Sequence, residues 1–403
     1  MTKPVRLAQL VVLILLILSL LLIMAVRFVP GLQISSYRVL INSLSGTGGP
    51  SATQNIIAAL TTAEGIELSI FADHLPKARM LKITPTGQLL VSSPSTGAVY
   101  LLSDENGDGQ ADSTTPVINN LNRPHGIDLY DDGKTTWLYI AETNAVGRVA
   151  MDWSKRKALG PYEPVIKGLT EGGGHRTKTI RFGPDGWLYL TAGSSCNVCE
   201  ETDNRRAAMM RFLPDGTEGQ IYASGLRNSV GFDWAPWNNN LYATDNARDL
   251  LGDNFPPCEL NKIEQGGFYG WPYINGFGDL DPSYGQGKEV LLEHSISPSF
   301  GFRAHNAPLG IHFLRHPSRP DKYQRTALVA LHGSWNRSEP DGYKVIALHW
   351  DKQGKITSED FVSHFLQPDG RVIGRPVDIE EGLDGSIYIS DDYTGAIYRV
   401  LYK

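Results

Sequence analysis

GWLYLTA at 186–192 decides the fold, because the same kind of short apolar run recurs five more times: GQLLVSS (87–93), TWLYIAE (136–142), NLYATDN (240–246), ALVALHG (327–333) and GSIYISD (385–391). With Leu90, Leu138, Leu188, Leu241, Leu328 and Ile387 as markers, the spacings are 48, 50, 53, 87 and 59 residues. Turn signals such as Pro184-Asp185-Gly186 and Leu383-Asp384-Gly385 precede several runs. Second strands such as Ala98–Leu101 and Ala396–Val400 follow several of them. Short strands between Gly/Pro/Asp turns, repeating at roughly 50 residues, are the pattern of a β-propeller blade. Six markers predict an all-β, six-bladed β-propeller, with the 87-residue spacing absorbing an insertion around 252–310. Two stacked sandwiches, the alternative, would not require equal repeats. Long helical periodicity is almost absent beyond residue 64. In a ring of blades, the loops at the axial mouth are the expected place for a ligand.

Upstream of the repeats the chain changes character. Leu7 to Val26 reads LAQLVVLILLILSLLLIMAV, interrupted only by Gln9 and Ser19. At ~1.5 Å per residue such a run crosses a hydrocarbon layer of ~30 Å. It is longer than the apolar stretch of a cleaved signal, and Arg27-Phe28-Val29-Pro30 follows in place of a small-residue cleavage site. The reading is therefore one uncleaved transmembrane helix, a signal anchor over 7–27, with a cytoplasmic tip at 1–6 and a tether over 28–63. The propeller domain then occupies 64–403. Lys3 and Arg6 outweigh Arg27, which predicts a body on the periplasmic or outer side of the inner membrane.

Charge sharpens this division. The 403 residues carry 37 Lys plus Arg and 43 Asp plus Glu, a balance of −6, but the first acidic residue is Glu64. From there onward 33 basic residues face 43 acidic ones. Such a body does not suit nucleic acid, which asks for a clustered basic face. Three cysteines are too few for a disulfide scaffold. Cys196-Asn197-Val198-Cys199 lacks a second pair for zinc, and outside the cytoplasm a tight local disulfide is expected, leaving Cys258 unpaired.

Several loops carry chemistry. Asp104, Asn106, Asp108 and Asp112 place oxygens at alternating positions around Gly107 and Gly109, as in the first half of a calcium loop; a polar hairpin turn is the other reading. His175 follows three glycines just before a strand, where it could exchange a proton or simply bond the backbone of a turn. Arg227 and Asn228 precede one blade strand, and the loop with Asn246, Ala247 and Arg248 ends the next. Arg337, Lys344 and Arg375 add cations on later loops. A guanidinium offers a two-pronged seat for a carboxylate, so an acidic ligand is the natural partner, with a salt bridge between blades as the alternative.

Together, Gly174-His175, GLRNSVGFDW (225–234), the run from Asp245 to CELNKIEQGGFYGWP (258–272), AHNAPLG (304–310) and GRPVDI (374–379) resemble the quinoprotein glucose/sorbosone dehydrogenases. The bacterial sorbosone-dehydrogenase-like branch is the better fit. The resemblance implies a six-bladed propeller that binds pyrroloquinoline quinone (PQQ) and calcium and oxidises a sugar or related alcohol or aldehyde. It implies His175 as general base and Arg227, Asn228 and Arg375 as cofactor contacts. It places Asn246, His305, Arg337 and Lys344 as further cofactor candidates, and the backbone carbonyls of Ala247 and Arg248 on calcium. Asp104, Asn106, Asp108 and Asp112 form a second possible metal site. The chain departs from the pattern at Gly174, where the family has Asp before its base, and at Val377, where it has a second arginine. The implied partners are a small sugar and a respiratory electron acceptor, with the inner membrane reached through the leader. A non-catalytic propeller binding a glycan or protein, and a calcium-dependent lactonase-type hydrolase using Asp245 and Asp249, are the alternatives.

Overall fold

The computed structural model describes residues 54–403; the anticipated membrane helix at 7–27 and most of the tether lie outside them. Among the described residues no helix is long and apolar enough to cross a membrane.

The described residues form six antiparallel blades. Their first strands are Leu81–Ile83, Ile127–Asp131, Lys178–Phe182, Phe232–Trp234, Pro308–Phe313 and Pro376–Glu381, and these pack on one another around an axis. Each recurrent apolar run is the second strand of one blade: Leu89–Ser93, Thr136–Ala141, Leu188–Ala192, Leu241–Asp245, Thr326–Leu331 and Ile387–Asp391. Five of these six are buried at every residue. A strand with a blade packed on both faces has no water-facing side, so its sequence loses the polar alternation of a half-exposed strand.

Six apolar clusters fill the wedges between adjacent blades. Leu90, Leu101, Leu138 and Val149, for example, join the first blade to the second. Burial of each such side chain contributes about 1.5–3 kcal/mol. A seventh, small cluster of Val230, Leu309 and Val377 sits near the axis. The arginine expected at 377 by the resemblance is thus replaced by an apolar packing residue.

The ring closes by pairing distant ends of the chain. Ile66–Ala72 adds the outer strand to the last blade, in antiparallel register with Ile397–Tyr402. Gln54–Ala59 is helical, and Thr61–Thr62 pairs with Ser363 and Val362 on the fifth blade. Ile56, Ile57 and Leu60, in the stretch assigned to the tether, thus pack against the apolar cluster between the fifth and sixth blades. The insertion falls inside the fourth blade: between Cys258–Ile263 and Phe300–Phe302 the chain leaves the sheet and forms a small hairpin at Ile274–Asn275 and Asp279–Leu280.

The inner strands of different blades do not share a hydrogen-bond ladder, so some of their N–H groups need other partners. Carboxylates from neighbouring blades supply them. Asp128 accepts from Phe182 N (2.7 Å), Asp233 from Phe313 N (2.7 Å), and Asp378 from Leu81 N (2.9 Å).

Candidate active site

The axis has two mouths. At the end where the inner strands finish, each blade contributes one charged side chain: Lys82, Asp128, Arg181, Asp233, His312 and Glu380. The signs alternate around the ring when His312 is protonated. Lys82 lies 2.8 Å from Asp128 and 3.8 Å from Glu380, Arg181 lies 3.7 Å from Asp233, and His312 lies 3.6 Å from Glu380. Arg315 adds a 2.7 Å contact to Asp233. Burial alone would raise the Asp233 carboxyl, but Arg315 and Arg181 hold it well below the usual carboxylate range. A cavity of about 500 Å³ opens here, walled by this ring with Phe182 and Trp234. Its charges alternate in sign around the ring, but His312 Nδ1 and Nε2, Glu380 Oε2 and Glu381 Oε1 make no hydrogen bond among the described residues, so this mouth too keeps polar atoms unspent.

The other mouth, where the inner strands begin, holds the residues singled out in the sequence. His175 precedes Lys178–Phe182 and is half-buried. Its Nδ1 lies 3.0 Å from the Ser194 carbonyl and 2.9 Å from the Ser194 hydroxyl. A carbonyl can only accept, so Nδ1 carries the proton and Nε2 presents a lone pair with no partner among the described residues. Burial, reinforced by Arg227, lowers the His175 pKa to about 4, so the ring is neutral at neutral pH and Nε2 is unprotonated. Asn228 approaches the same point. A Cβ built on Gly193 would stand 2.3 Å from Asn228 Oδ1 and 2.7 Å from His175 Cβ, so glycine is what lets the two side chains meet there. The Asn228 carboxamide makes no hydrogen bond within the chain, although its backbone N–H donates to Asp245 (2.5 Å).

A second cluster lies at this mouth. Arg79 bridges Asp392 (2.9 Å) and His125 Nε2 (3.2 Å); His332 bonds Asp392 through Nε2 (2.9 Å) and Arg375 through Nδ1 (2.8 Å). Among the described residues Arg375 Nε has no hydrogen-bond partner and His125 Nδ1 none of full hydrogen-bond geometry, although the Lys178 carbonyl lies close enough to raise the His125 pKa. Burial, then Arg79, lowers the His125 pKa well below its ordinary value. Burial and Arg375 lower that of His332 to about 4, against the pull of Asp392. Buried donors without a full hydrogen bond beside two guanidinium groups call for an acceptor, and an anionic one satisfies both hydrogen bonding and charge. Arg79, His125, His332, Asp392 and Ser194 were not read from the sequence. Pro124-His125 sits before the second blade much as Gly174-His175 sits before the third, and that parallel was the available signal.

The remaining sequence candidates have other tasks. Arg227 spends all five of its N–H donors inside the chain, on Asn197 O (2.9 Å), Asn197 Oδ1 (2.9 Å), Asn246 O (3.0 Å), Ala247 O (2.8 Å) and Asp249 Oδ2 (3.2 Å). It organises the loops and has no donor left for a cofactor. Because it donates to Ala247 O, that carbonyl is a poor calcium ligand, and the Arg248 side chain is buried against Asp281 (2.6 Å). Asn246 ties blades together through Asn228 O (3.2 Å) and Pro308 O (3.0 Å). His305 uses Nε2 on Gly252 O (2.8 Å) and turns Nδ1 toward Asn336 (3.4 Å) and Asp249 (3.7 Å). Arg337 is buried on Asp253 O, Glu339 O (3.1 Å) and Asn254 (3.3 Å). Lys344 pairs with Asp360 (2.6 Å), toward the outer edge of the fifth blade and away from the mouth.

Asp104, Asn106, Asp108 and Asp112 turn their oxygens onto the N–H groups of their own loop: Gly107 on Asp104 (2.7 Å), Asp108 on Asn106 (2.8 Å), Gln110 on Asp108 (2.9 Å) and Glu105 on Asp112 (2.6 Å). The polar-hairpin reading describes this loop. Among the described residues the only His/Cys/Asp/Glu group close enough to share an ion is Cys196, Cys199 and Glu201, and its two cysteines form a disulfide instead. Cys258 is free and buried, as the spacing suggested. Asp245 and Asp249 do not gather as a hydrolase would need. Asp245 stands opposite Glu259 in the fourth blade, and burial pushes both carboxyls up, Glu259 further because Asp245 is beside it.

A six-bladed propeller with a neutral histidine at one mouth of its axis is the architecture on which the comparisons with known proteins bear. The chain belongs to the TrAA12-like family, whose model matches residues 60–262 and 288–403; the unmatched stretch lies within the fourth-blade insertion. It is 31% identical over 366 residues to an uncharacterised protein of Borreliella burgdorferi, covering 87% of this chain and 93% of that one. It is 24% identical over 414 residues to the pyrroloquinoline quinone-dependent pyranose dehydrogenase of Coprinopsis cinerea, covering 85% of this chain but only 54% of that protein. The holo form of that enzyme's PQQ domain superposes with a TM-score of 0.73 at 20% identity, over 85% of this chain and 96% of the domain. A calcium structure of the Trichoderma reesei carbohydrate-active enzyme of family AA12 superposes at 0.74 with 21% identity, over 89% and 99% of the two chains. At these identities the superpositions establish the fold.

Proposed function

We propose that this protein is a PQQ- and calcium-dependent dehydrogenase that oxidises a sugar or related alcohol or aldehyde at the mouth where the inner strands begin. The observation that carries this reading is the set of groups left unspent there: His175 Nε2, the Asn228 carboxamide, His125 Nδ1 and Arg375 Nε. PQQ carries three carboxylates and fits such a donor set; Arg375, His125 and Arg79 would hold it. When bound, it supplies the electron sink that accepts the hydride. His175 Nε2 takes the proton of the reacting hydroxyl, and Asn228 orients the substrate from across Gly193. The indole of Trp335, 41% exposed on the loop after the fifth blade's second strand, offers a flat apolar face to a pyranose ring. Calcium belongs to this reading by analogy with the Trichoderma structure, but the Ala247 carbonyl is not proposed as its seat. The electrons leave to a respiratory acceptor. The body lies outside the cytoplasm on the 7–27 anchor, a location that the Cys196–Cys199 bridge supports.

The test is reconstitution of the purified protein with PQQ and calcium, followed by dye reduction with a panel of aldoses. Micromolar quinone binding and sugar-dependent reduction are expected. Absence of quinone binding at that concentration would sink the proposal.

A further inference from the structure

We propose that Ser194 positions His175 as the base by keeping its Nδ1 protonated, and that the bridged loop 196–199 holds the Ser194 hydroxyl in the orientation this requires. The inference deepens the reading of His175 as the base and rests on it.

Ser194 follows the second strand of the third blade and is fully buried. Its hydroxyl donates to the carbonyl of Cys196 at 2.7 Å. With its one proton committed there, the oxygen facing His175 Nδ1 at 2.9 Å can only accept. The Ser194 carbonyl also faces Nδ1, at 3.0 Å, but it is shared: His175 N donates to it at 3.3 Å and Arg206 Nη2 at 3.0 Å. A carbonyl already bonded by a guanidinium is a weakened acceptor, which leaves the hydroxyl as the stronger brace. A hydroxyl that could rotate would turn its own proton toward Nδ1–H, and the ring would lose that brace and keep only the shared carbonyl. The Cys196 carbonyl prevents that rotation, and it belongs to a loop closed by the Cys196–Cys199 disulfide. The loop is pinned again at its next residue, where Asn197 accepts two bonds from Arg227 and donates to Asp249 O at 3.0 Å. Ser194 thus supplies the orientation that Gly174 cannot. The charged groups around the ring, Arg227, Arg206 and Asp249, act on its charge but make no hydrogen bond to it.

The experiment uses the whole protein with 15N-labelled histidine, where NMR separates a protonated from an unprotonated ring nitrogen. In the wild type at pH 7, His175 is expected entirely as the Nδ1–H form. Ser194→Ala keeps the carbonyl acceptor, so Nδ1–H is expected to remain the main form while its 15N–1H signal shifts with the lost hydroxyl bond. After reconstitution, kcat should fall roughly tenfold, the loss of one hydrogen bond, with KM unchanged. Ser194→Thr, which restores the hydroxyl, should recover both. A wild-type ring protonated at Nε2 would overturn the proposal without any variant. So would Ser194→Ala with an unchanged His175 15N–1H signal and an unchanged kcat. If the tautomers behave as expected but no sugar is oxidised after reconstitution, the dehydrogenase reading fails and the positioning role stands.

Discussion

The two mouths of the axis are built from the same six inner strands and differ in how their charges are used. Where the strands end, Lys82, Asp128, Arg181, Asp233, His312 and Glu380 neutralise one another around the ring, and Arg315 reinforces it. Where they begin, His175 Nε2 and the Asn228 carboxamide are free, and His125 Nδ1 and Arg375 Nε are buried without a full hydrogen bond among the described residues. A buried donor without an acceptor costs about 1–3 kcal/mol. A fold tolerates this where a ligand completes the bonding. The cavity of about 500 Å³ at the ring of alternating charges is therefore not by itself a guide to the chemistry.

The contrast can be broken first at the base. His175→Ala is expected to lower kcat for sugar oxidation by roughly 10²–10⁴ while leaving the melting temperature nearly unchanged, read by dye reduction and calorimetry. Equal activity in the variant would remove the role assigned to this mouth. At the opposite mouth the signs reverse. Asp233→Ala strands Arg181 and Arg315 and should cost about 3–5 kcal/mol of stability, seen in denaturant unfolding, with kcat retained in the folded fraction. A stable variant with lost activity would exchange the two assignments.

Behind Asn228, Asp245 and Glu259 titrate above the ordinary carboxylate range because burial disfavours their charge. The folded protein then binds more protons than the unfolded chain from pH ~4 toward neutrality, so this pair's effect on stability worsens as pH rises through that window. Asp245→Asn should flatten the decline, with the variant gaining melting temperature relative to wild type at pH 8 and little at pH 5. An identical gain at both values would show that the pair is not the source. The smallest effect belongs to the rim. Trp335→Ala should raise KM for a pyranose a few-fold, within the ~1–3 kcal/mol of a single apolar contact, with kcat and stability unchanged.

The blades were legible because a strand packed on both faces must be apolar throughout, and Leu188–Ala192 and Ile387–Asp391 announce that in one dimension. His175 was legible from Gly174-His175 and from its place before an inner strand. Arg227 was legible as important but not in its role, since a guanidinium reads the same whether it faces a ligand or Asn197 and Asp249. Arg337 and Lys344 show the same limit, because loop position does not say which way a long side chain turns, here onto Glu339 O and Asp360. Arg79, His125 and His332 were missed because they come together only when the first, second, fifth and sixth blades meet.

What the sequence determined by itself is the repeat, the hairpin turns such as the one at Gly186 with φ +79°, the local disulfide and the division between leader and acidic body. These depend on neighbours a few residues apart, where spacing fixes geometry. The tertiary structure alone decided that the ring closes through Ile66–Ala72, that Ser194 sets the tautomer of His175, and that a histidine and guanidinium cluster gathers at one mouth while charges of alternating sign ring the other. Those outcomes depend on which side chains from distant blades reach each other first, and on whether a partner is left for each.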